Sequence, residues 1–206
     1  MRSPRMWPLL LALVLAGCGE TPWSGLRASL SPPAALPAIG VPEGPALRLT
    51  LGGRASHAAL LQELGERRLW RTDSGFVVAT DGARVVATSG LAEVLAATRF
   101  EGPDPLARPA ALLGRGAAAR RLVDLMRADR DPKGMRFGVE IECRLRAFPT
   151  AEAGLLLVEE RCRGGGRGGF TNRFWVEEEG GAVLRSEQWI GPGLPPLVLE
   201  PLGVAS

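Results

Sequence analysis

One histidine (His57), one lysine (Lys133) and three cysteines (Cys18, Cys143 and Cys162) are all this chain of 206 residues holds of those types. Each scarcity removes a class of chemistry. A Ser–His–Asp site would have to be built around His57, yet its neighbour Ser56 would face the opposite side of a strand. The surroundings of His57 are rich in Gly, Ala and Ser, which reads as surface. One histidine and two uncommitted cysteines make no metal cluster without scattered carboxylates, so no metal and no cofactor are expected. With 24 arginines against one lysine, and abundant Ala, Gly and Pro, the basic residues read as GC-rich codon usage rather than a binding code. Removing Arg2 and Arg5 with an N-terminal signal leaves 23 basic side chains against 22 acidic ones, a nearly neutral domain. No basic helix or aromatic-interleaved patch accompanies them, so nucleic acid is not an expected partner. The longest apolar stretch also falls short of the roughly 20 residues that a membrane span needs.

What the N-terminus does hold is Leu15-Ala16-Gly17-Cys18, directly behind the apolar run Leu9 to Leu15, with Arg2 and Arg5 ahead of it. Positive residues, a short apolar run and small residues before a cleavage point are the layout of a secretory signal. The four residues resemble a bacterial lipobox, in which the cysteine thiol is lipidated, the signal is cut and the new N-terminus is acylated. An ordinary signal with a coincidental cysteine is the alternative. The lipobox makes residues 1–17 a signal peptide and Cys18 the lipidated residue, with the membrane a partner through its acyl chains. Each buried methylene contributes about 0.8 kcal/mol, and two or more chains give stable anchoring. Gly19 follows, where an aspartate would favour retention in the inner membrane. By resemblance to that sorting rule the protein is expected on the periplasmic face of the outer membrane.

Residues 18–45 carry the lipidated cysteine and a Pro-rich, semi-rigid tether, with Pro22, Pro32, Pro33, Pro37, Pro42 and Pro45. From residue 46 to 206 short apolar or β-branched runs alternate with turn signals. Ala46 to Leu51 alternates and stops at Gly52-Gly53. Gly75–Thr80 and Ala83–Thr88 flank Asp81-Gly82, a hairpin for which Asp-Gly favours a type I′ turn. Further along, Asn172–Val176 and Ala182–Ser186 read as a second hairpin, and Leu197–Leu199 ends a short apolar strand. Two segments, His57 to Arg68 and Ala117 to Arg130, argue for helix on propensity, although Gly65 interrupts the first. The Gly-rich run Gly164–Gly169 lacks the Lys-Ser/Thr and the strand-to-helix setting of a phosphate loop and reads as a loop between strands.

With Cys18 committed to lipid, Cys143 and Cys162 remain, in an oxidising compartment. They sit in the β-like runs Phe137–Arg146 and Leu155–Cys162, either side of a turn at 148–154. If that hairpin is symmetric, the two cysteines lie directly opposite, close enough for a disulfide. Two buried free thiols on adjacent strands are the alternative.

The order of motifs then resembles the YjbF/GfcB family of lipoproteins, associated with group 4 capsule and exopolysaccharide production. The landmarks are Leu26–Leu30, Leu47–Leu49, Leu69-Trp70 before Asp73, Asp81–Leu91, Asp104–Leu106 and Arg121–Asp124. They continue in Glu159-Glu160, Asn172–Val176, Val183–Gln188 and Gly191–Gly193. Phe174 stands where the family often has Tyr, and Glu177 where it often has Asp. The resemblance implies a mainly β fold, a single antiparallel barrel-like or strongly curved sheet with few or no helices. It tips both ambiguous segments toward strand and leaves a short helix open at Leu91–Thr98. It also implies a non-catalytic accessory factor in capsule or exopolysaccharide assembly or export, working with other proteins of such a locus. A polysaccharide-binding module and a general envelope-structure lipoprotein are the other readings.

In that setting a carboxylate pair for glycoside chemistry has to be weighed. The candidates are Asp73, Asp81, Asp124, Glu142 and Glu159; Asp73 and Asp81 sit in turns, and Glu140 and Glu142 alternate with Val139 and Ile141 as on a solvated strand face. Glu159-Glu160 is the pair hardest to dismiss, because one of two consecutive strand residues must point inward. No enzyme activity is expected. Trp70, Trp175 and Trp189 suit either the core or a sugar-stacking platform, and Phe174 and Trp175 must lie on opposite faces. The expected interaction surface is the strand around Asn172 and Trp175, with Trp70 and Trp189.

Overall fold

Along most of the chain, apolar side chains alternate with polar ones, which gives one face to a core and the other to water. The computed structural model describes residues 44–165 and 168–202. The signal, Cys18, the tether as far as residue 43 and the Leu26–Leu30 landmark lie outside the described residues.

Twelve strands make one antiparallel sheet, curled into a nearly closed barrel. They are β1 (Ala46–Leu51), β2 (Arg54–Leu64), β3 (Arg67–Thr72), β4 (Val77–Asp81), β5 (Arg84–Ser89) and β6 (Glu93–Glu101). The second half holds β7 (Ala117–Arg127), β8 (Arg136–Pro149), β9 (Leu155–Gly164), β10 (Gly169–Glu177), β11 (Val183–Gln188) and β12 (Leu197–Leu202). Among the described residues there is no helix of seven or more residues. Three short 3-10 turns occur, at Pro105–Ala107, Pro109–Leu112 and Pro132–Gly134.

Pairing runs from β5 back to β1, across to β12 and back again to β6. The link between the halves is β1 against β12, with Ala46 opposite Leu202 and Leu51 opposite Leu197. β5 and β6 are the two ends of the sheet. They are joined in sequence by a tight turn at Gly90, where a Cβ would stand 3.1 Å from the Gly75 carbonyl oxygen. Across this seam the Thr88 hydroxyl accepts the Leu95 N–H at 3.1 Å, so a side chain stands where a ladder bond would be.

The core is the barrel interior: Leu49, Val78, Leu95, Leu125, Ile141, Leu145, Leu156, Phe174 and Leu197 are all at most 2% exposed. β7 explains why helix propensity misleads. Arg121, Val123 and Leu125 point inward at a period of two, and both edges of the strand are paired, to β6 and β8. Burial and cross-strand pairing outweigh the preference of Ala, Leu and Arg for helix. In β2 only Ala58 is buried, but β1 and β3 supply its backbone partners, and Gly65 is the turn residue between β2 and β3 at φ +60°. The Leu91–Thr98 segment is β6 rather than a helix from Glu93 onward, because it pairs with β7 from Glu93 to Glu101.

The β4–β5 hairpin forms, but its turn is not type I′. Asp81 pairs with Arg84, so Gly82 and Ala83 are the central residues, and of these only Gly82 has positive φ, at +54°. Its N–H is drawn to the Glu66 carbonyl at 2.9 Å.

Candidate functional site

Three charged side chains, Arg84, Arg121 and Glu160, are buried inside the barrel, and a fourth, the partly exposed Asp104, closes on them from a loop. Glu160 follows Leu156 and Val158 on the inward side of β9, and Arg121 precedes Val123 and Leu125 on the inward side of β7. Arg84 opens β5, and Asp104 lies in the loop after β6. Arg84 holds Asp104 with two bonds of 2.8 Å, from Nε and Nη2, and gives its third nitrogen to Glu160 Oε1 at 2.7 Å. The other oxygen of Glu160 accepts from the Asn172 amide at 2.6 Å and lies 3.7 Å from Arg121 Nη1. The Asn172 side-chain oxygen in turn accepts the backbone N–H of Trp189 at 2.7 Å. The guanidinium groups rest on aromatic rings of the interior: Arg84 lies over Phe100 and Phe174, and Arg121 over Phe100 and Phe170.

Burial acts against the charge of both arginines, with opposite outcomes. For Arg84 the field of Glu160 and the fork to Asp104 outweigh desolvation, and its pKa rises above the ordinary arginine value. For Arg121 desolvation wins over the attraction of Glu160, and Arg84 adds repulsion, so its pKa falls. Arg121 is also the member left incomplete, since its buried Nε has no hydrogen-bond partner. Asp104 is partly buried, but its bonds to Arg84 hold its carboxyl below the usual aspartate range.

Chemically this cluster is a clamp. Every Arg84 nitrogen and both Glu160 oxygens are engaged by protein groups. Glu159 stands on the outer face of β9, bonded to Arg161 at 2.9 Å and Arg173 at 3.4 Å, and the Arg161 bond keeps its carboxyl below the usual range. The two glutamates therefore occupy opposite sides of one strand and cannot flank a single glycosidic bond. Cys143 and Cys162 are directly opposite on β8 and β9 and are joined by a disulfide inside the barrel. Glu160 comes close enough to both sulfurs to suggest a three-ligand cage. Sulfurs bonded to each other are not the thiolates a metal takes, and Glu160 is already held by Arg84 and Asn172.

The residues expected to form an interaction surface separate. Asn172 is 1% exposed and serves the clamp. Trp70 is 5% exposed, its indole N–H bonded to the Thr80 hydroxyl at 3.1 Å, so it too belongs to the interior. Both change from surface to core because their positions share the inward phase of their strands, with Phe174 and Val176 for Asn172 and with Thr72 for Trp70. Trp189 is half-buried and stacks on Phe170 at 4.6 Å, and Gly165 leaves room for its ring. Trp175 is on the outer face, half-buried, with Arg185 over its ring at 5.3 Å. His57 is exposed on β2, and Glu140 and Glu142 are exposed on β8.

A family model described as group 4 capsule polysaccharide lipoprotein, gfcB or YjbF, matches residues 38–202. Among solved structures, the hypothetical lipoprotein YmcC from Escherichia coli K12 is similar with a TM-score of 0.64. Its sequence is 21% identical, and the match covers 92% of this chain and 100% of that one, a likeness of fold. No curated protein matches the chain.

Proposed function

Since this chain belongs to the YjbF family of group 4 capsule polysaccharide lipoproteins, we propose that it is a non-catalytic accessory factor in capsule or exopolysaccharide assembly or export. It works from the periplasmic face of the outer membrane, held there by acyl chains on Cys18. Its partners are other proteins of the same polysaccharide machinery. The observation that carries the non-catalytic part is the separation of Glu159 and Glu160. One is consumed by the internal clamp, and the other lies among arginines on the outside. With Arg84 and Glu160 fully engaged inside the barrel, the outer face is left for partners.

The test is extracellular polysaccharide from a deletion strain complemented with wild type, Cys18→Ala or Glu159→Gln. Loss on deletion, restored by wild type and Glu159→Gln but not by Cys18→Ala, is the expected pattern. Unchanged polysaccharide in the deletion strain, under conditions where the polymer is made, would instead favour a general envelope-structure role. Loss with Glu159→Gln at normal protein abundance would favour an enzyme.

A further inference from the structure

The outer face of β7–β10 is a broad, open groove of about 1500 Å³. Its floor is kept open by small residues, Ala118 on β7, Gly168 just before β10, and Gly169 and Thr171 at the start of β10. Small-molecule sites are enclosed clefts of about 300–1,000 Å³, so this groove is shaped for a segment of something longer.

Its charge is uneven. Arg144 and Arg161 are directly opposite each other on β8 and β9; two residues along one strand Arg146 stands opposite Glu159, and two residues along the other Arg163 stands opposite Glu142. Directly opposed like charges, with Cβ atoms about 4.5–5.5 Å apart, destabilise a sheet. The nearby carboxylates do not relieve this block fully. Glu142 is engaged by Arg120 at 3.1 Å, and Glu159 by both Arg161 and Arg173. Arg144, Arg146 and Arg163 form no ion pair with any described residue. Some arginines elsewhere on the outer face are paired, Arg185 with Glu187 and Glu200, and Arg99 with Asp124. At one end the groove meets an apolar row in which Phe148, 42% exposed, lies opposite Leu157, and Leu157 lies opposite Trp175.

We propose that this groove binds an acidic polysaccharide chain, with carboxylates on successive sugars held by Arg144, Arg146 and Arg163 and a sugar face laid against Phe148. Guanidinium groups suit this task because they stay charged and grip carboxylates through two parallel N–H bonds. The choice of polysaccharide as occupant rests on the capsule-linked reading above, whereas the charge and shape of the groove do not depend on it.

The experiment is calorimetric titration of the full chain, purified in detergent, with polygalacturonate and with neutral dextran. Arg144→Ala/Arg163→Ala is the test variant, and Arg99→Ala, outside the groove, is the control. Both substituted positions are solvent-exposed, so the fold should survive, and unchanged thermal melting verifies it. Polygalacturonate should bind and dextran should not. The double variant should weaken binding about tenfold or more, and salt near 0.5 M should weaken it in wild type, as expected for exposed charges. Equal binding of dextran, absence of polygalacturonate binding, or equal binding by wild type and double variant would each overturn the proposal. Variant-sensitive binding to phosphatidylglycerol vesicles but not to polygalacturonate would overturn it in favour of a lipid surface. Failure of the capsule-linked reading shows elsewhere, as unchanged polymer output on deletion, and leaves the titration standing.

Discussion

Gln188, on β11, reaches across the barrel to the edge strand β5, where its carboxamide oxygen accepts the Val85 N–H at 2.9 Å and its nitrogen donates to the Ala83 carbonyl at 2.8 Å. One side chain thus imitates the donor and acceptor of a missing neighbour strand, at the end of a sheet where open backbone groups invite other chains. Replacing it with leucine leaves a buried N–H without a partner. Gln188→Leu should cost about 1–3 kcal/mol in denaturant unfolding. The Val85 amide should also exchange with deuterium faster than its neighbours on β4. Equal protection in the variant would show that water or backbone movement replaces the amide.

Glu160 and Arg121, neighbours in the clamp, should respond in opposite ways to substitution. Glu160→Gln leaves Arg121 without a counter-charge and Arg84 with only Asp104, and should destabilise by about 3–5 kcal/mol. Arg121→Met removes a cation that burial already disfavours and whose Nε is unpaired, while Glu160 keeps Arg84 and Asn172. That change should cost less than about 1 kcal/mol or stabilise. Urea midpoints of the two variants compared with wild type decide it, and equal losses would mean that Arg121 holds the carboxylate as firmly as Arg84 does.

Asp104 gives the fold an acid limb. Arg84 depresses its pKa in the folded state despite the opposing effect of burial, so the folded protein takes up this proton less readily than the unfolded chain. The stabilisation is fully present above the ordinary aspartate pKa of about 3.9 and is lost as the pH falls below it, through the depressed folded value. Asp104→Asn should lower stability at neutral pH and flatten its dependence below about pH 4, as read from melting temperature against pH.

The disulfide closes a short loop, the cysteines being 19 residues apart. Chain-entropy arguments put its contribution at about 3 kcal/mol. Cys143→Ala/Cys162→Ala should lose about that amount, because the cross-link restrains the unfolded chain, where the hairpin is absent. Mass mapping without reductant should find one linked peptide pair, and two free thiols would contradict the structure.

The pairing of Cys143 with Cys162 was legible in the sequence because two β-like runs of similar length flank one turn, which sets their register. Several strands were legible in alternation, but the barrel-like sheet followed from the resemblance alone, and β2 and β7 were ambiguous. Ala and Leu carry a helical preference wherever they stand, and only the partners on both edges of a strand override it. The type I′ reading of Asp81-Gly82 failed for a similar reason: Asp81 is drawn into pairing with Arg84, and the turn shifts by one residue. The clamp left a partial trace. Glu160 shares a phase with Leu156 and Val158, and Arg121 with Val123 and Leu125, so both lie on apolar faces of their strands. That they meet Arg84 and Asp104 depends on the curvature of the whole sheet, which spacing along the chain does not encode. Asn172, expected at an interaction surface, lies instead on the inward side of β10.

Because β1 lies beside β12, the twelve strands follow one another around the barrel as a single up-and-down meander, read from β6 through β12 and on from β1 to β5. The break between β12 and β1 is one junction in that circuit, where the backbone ladder is intact although the covalent link is missing. The β5–β6 junction is its converse, covalently joined at Gly90 but bridged by side chains. A circular permutant opened at Gly90 and linked from Leu202 to Ala46 would bring connectivity and ladder into agreement around the whole ring. The natural order instead puts its longest-range pairing, Ala46 with Leu202, at the step that joins the two halves, a placement that makes closure slow and cooperative.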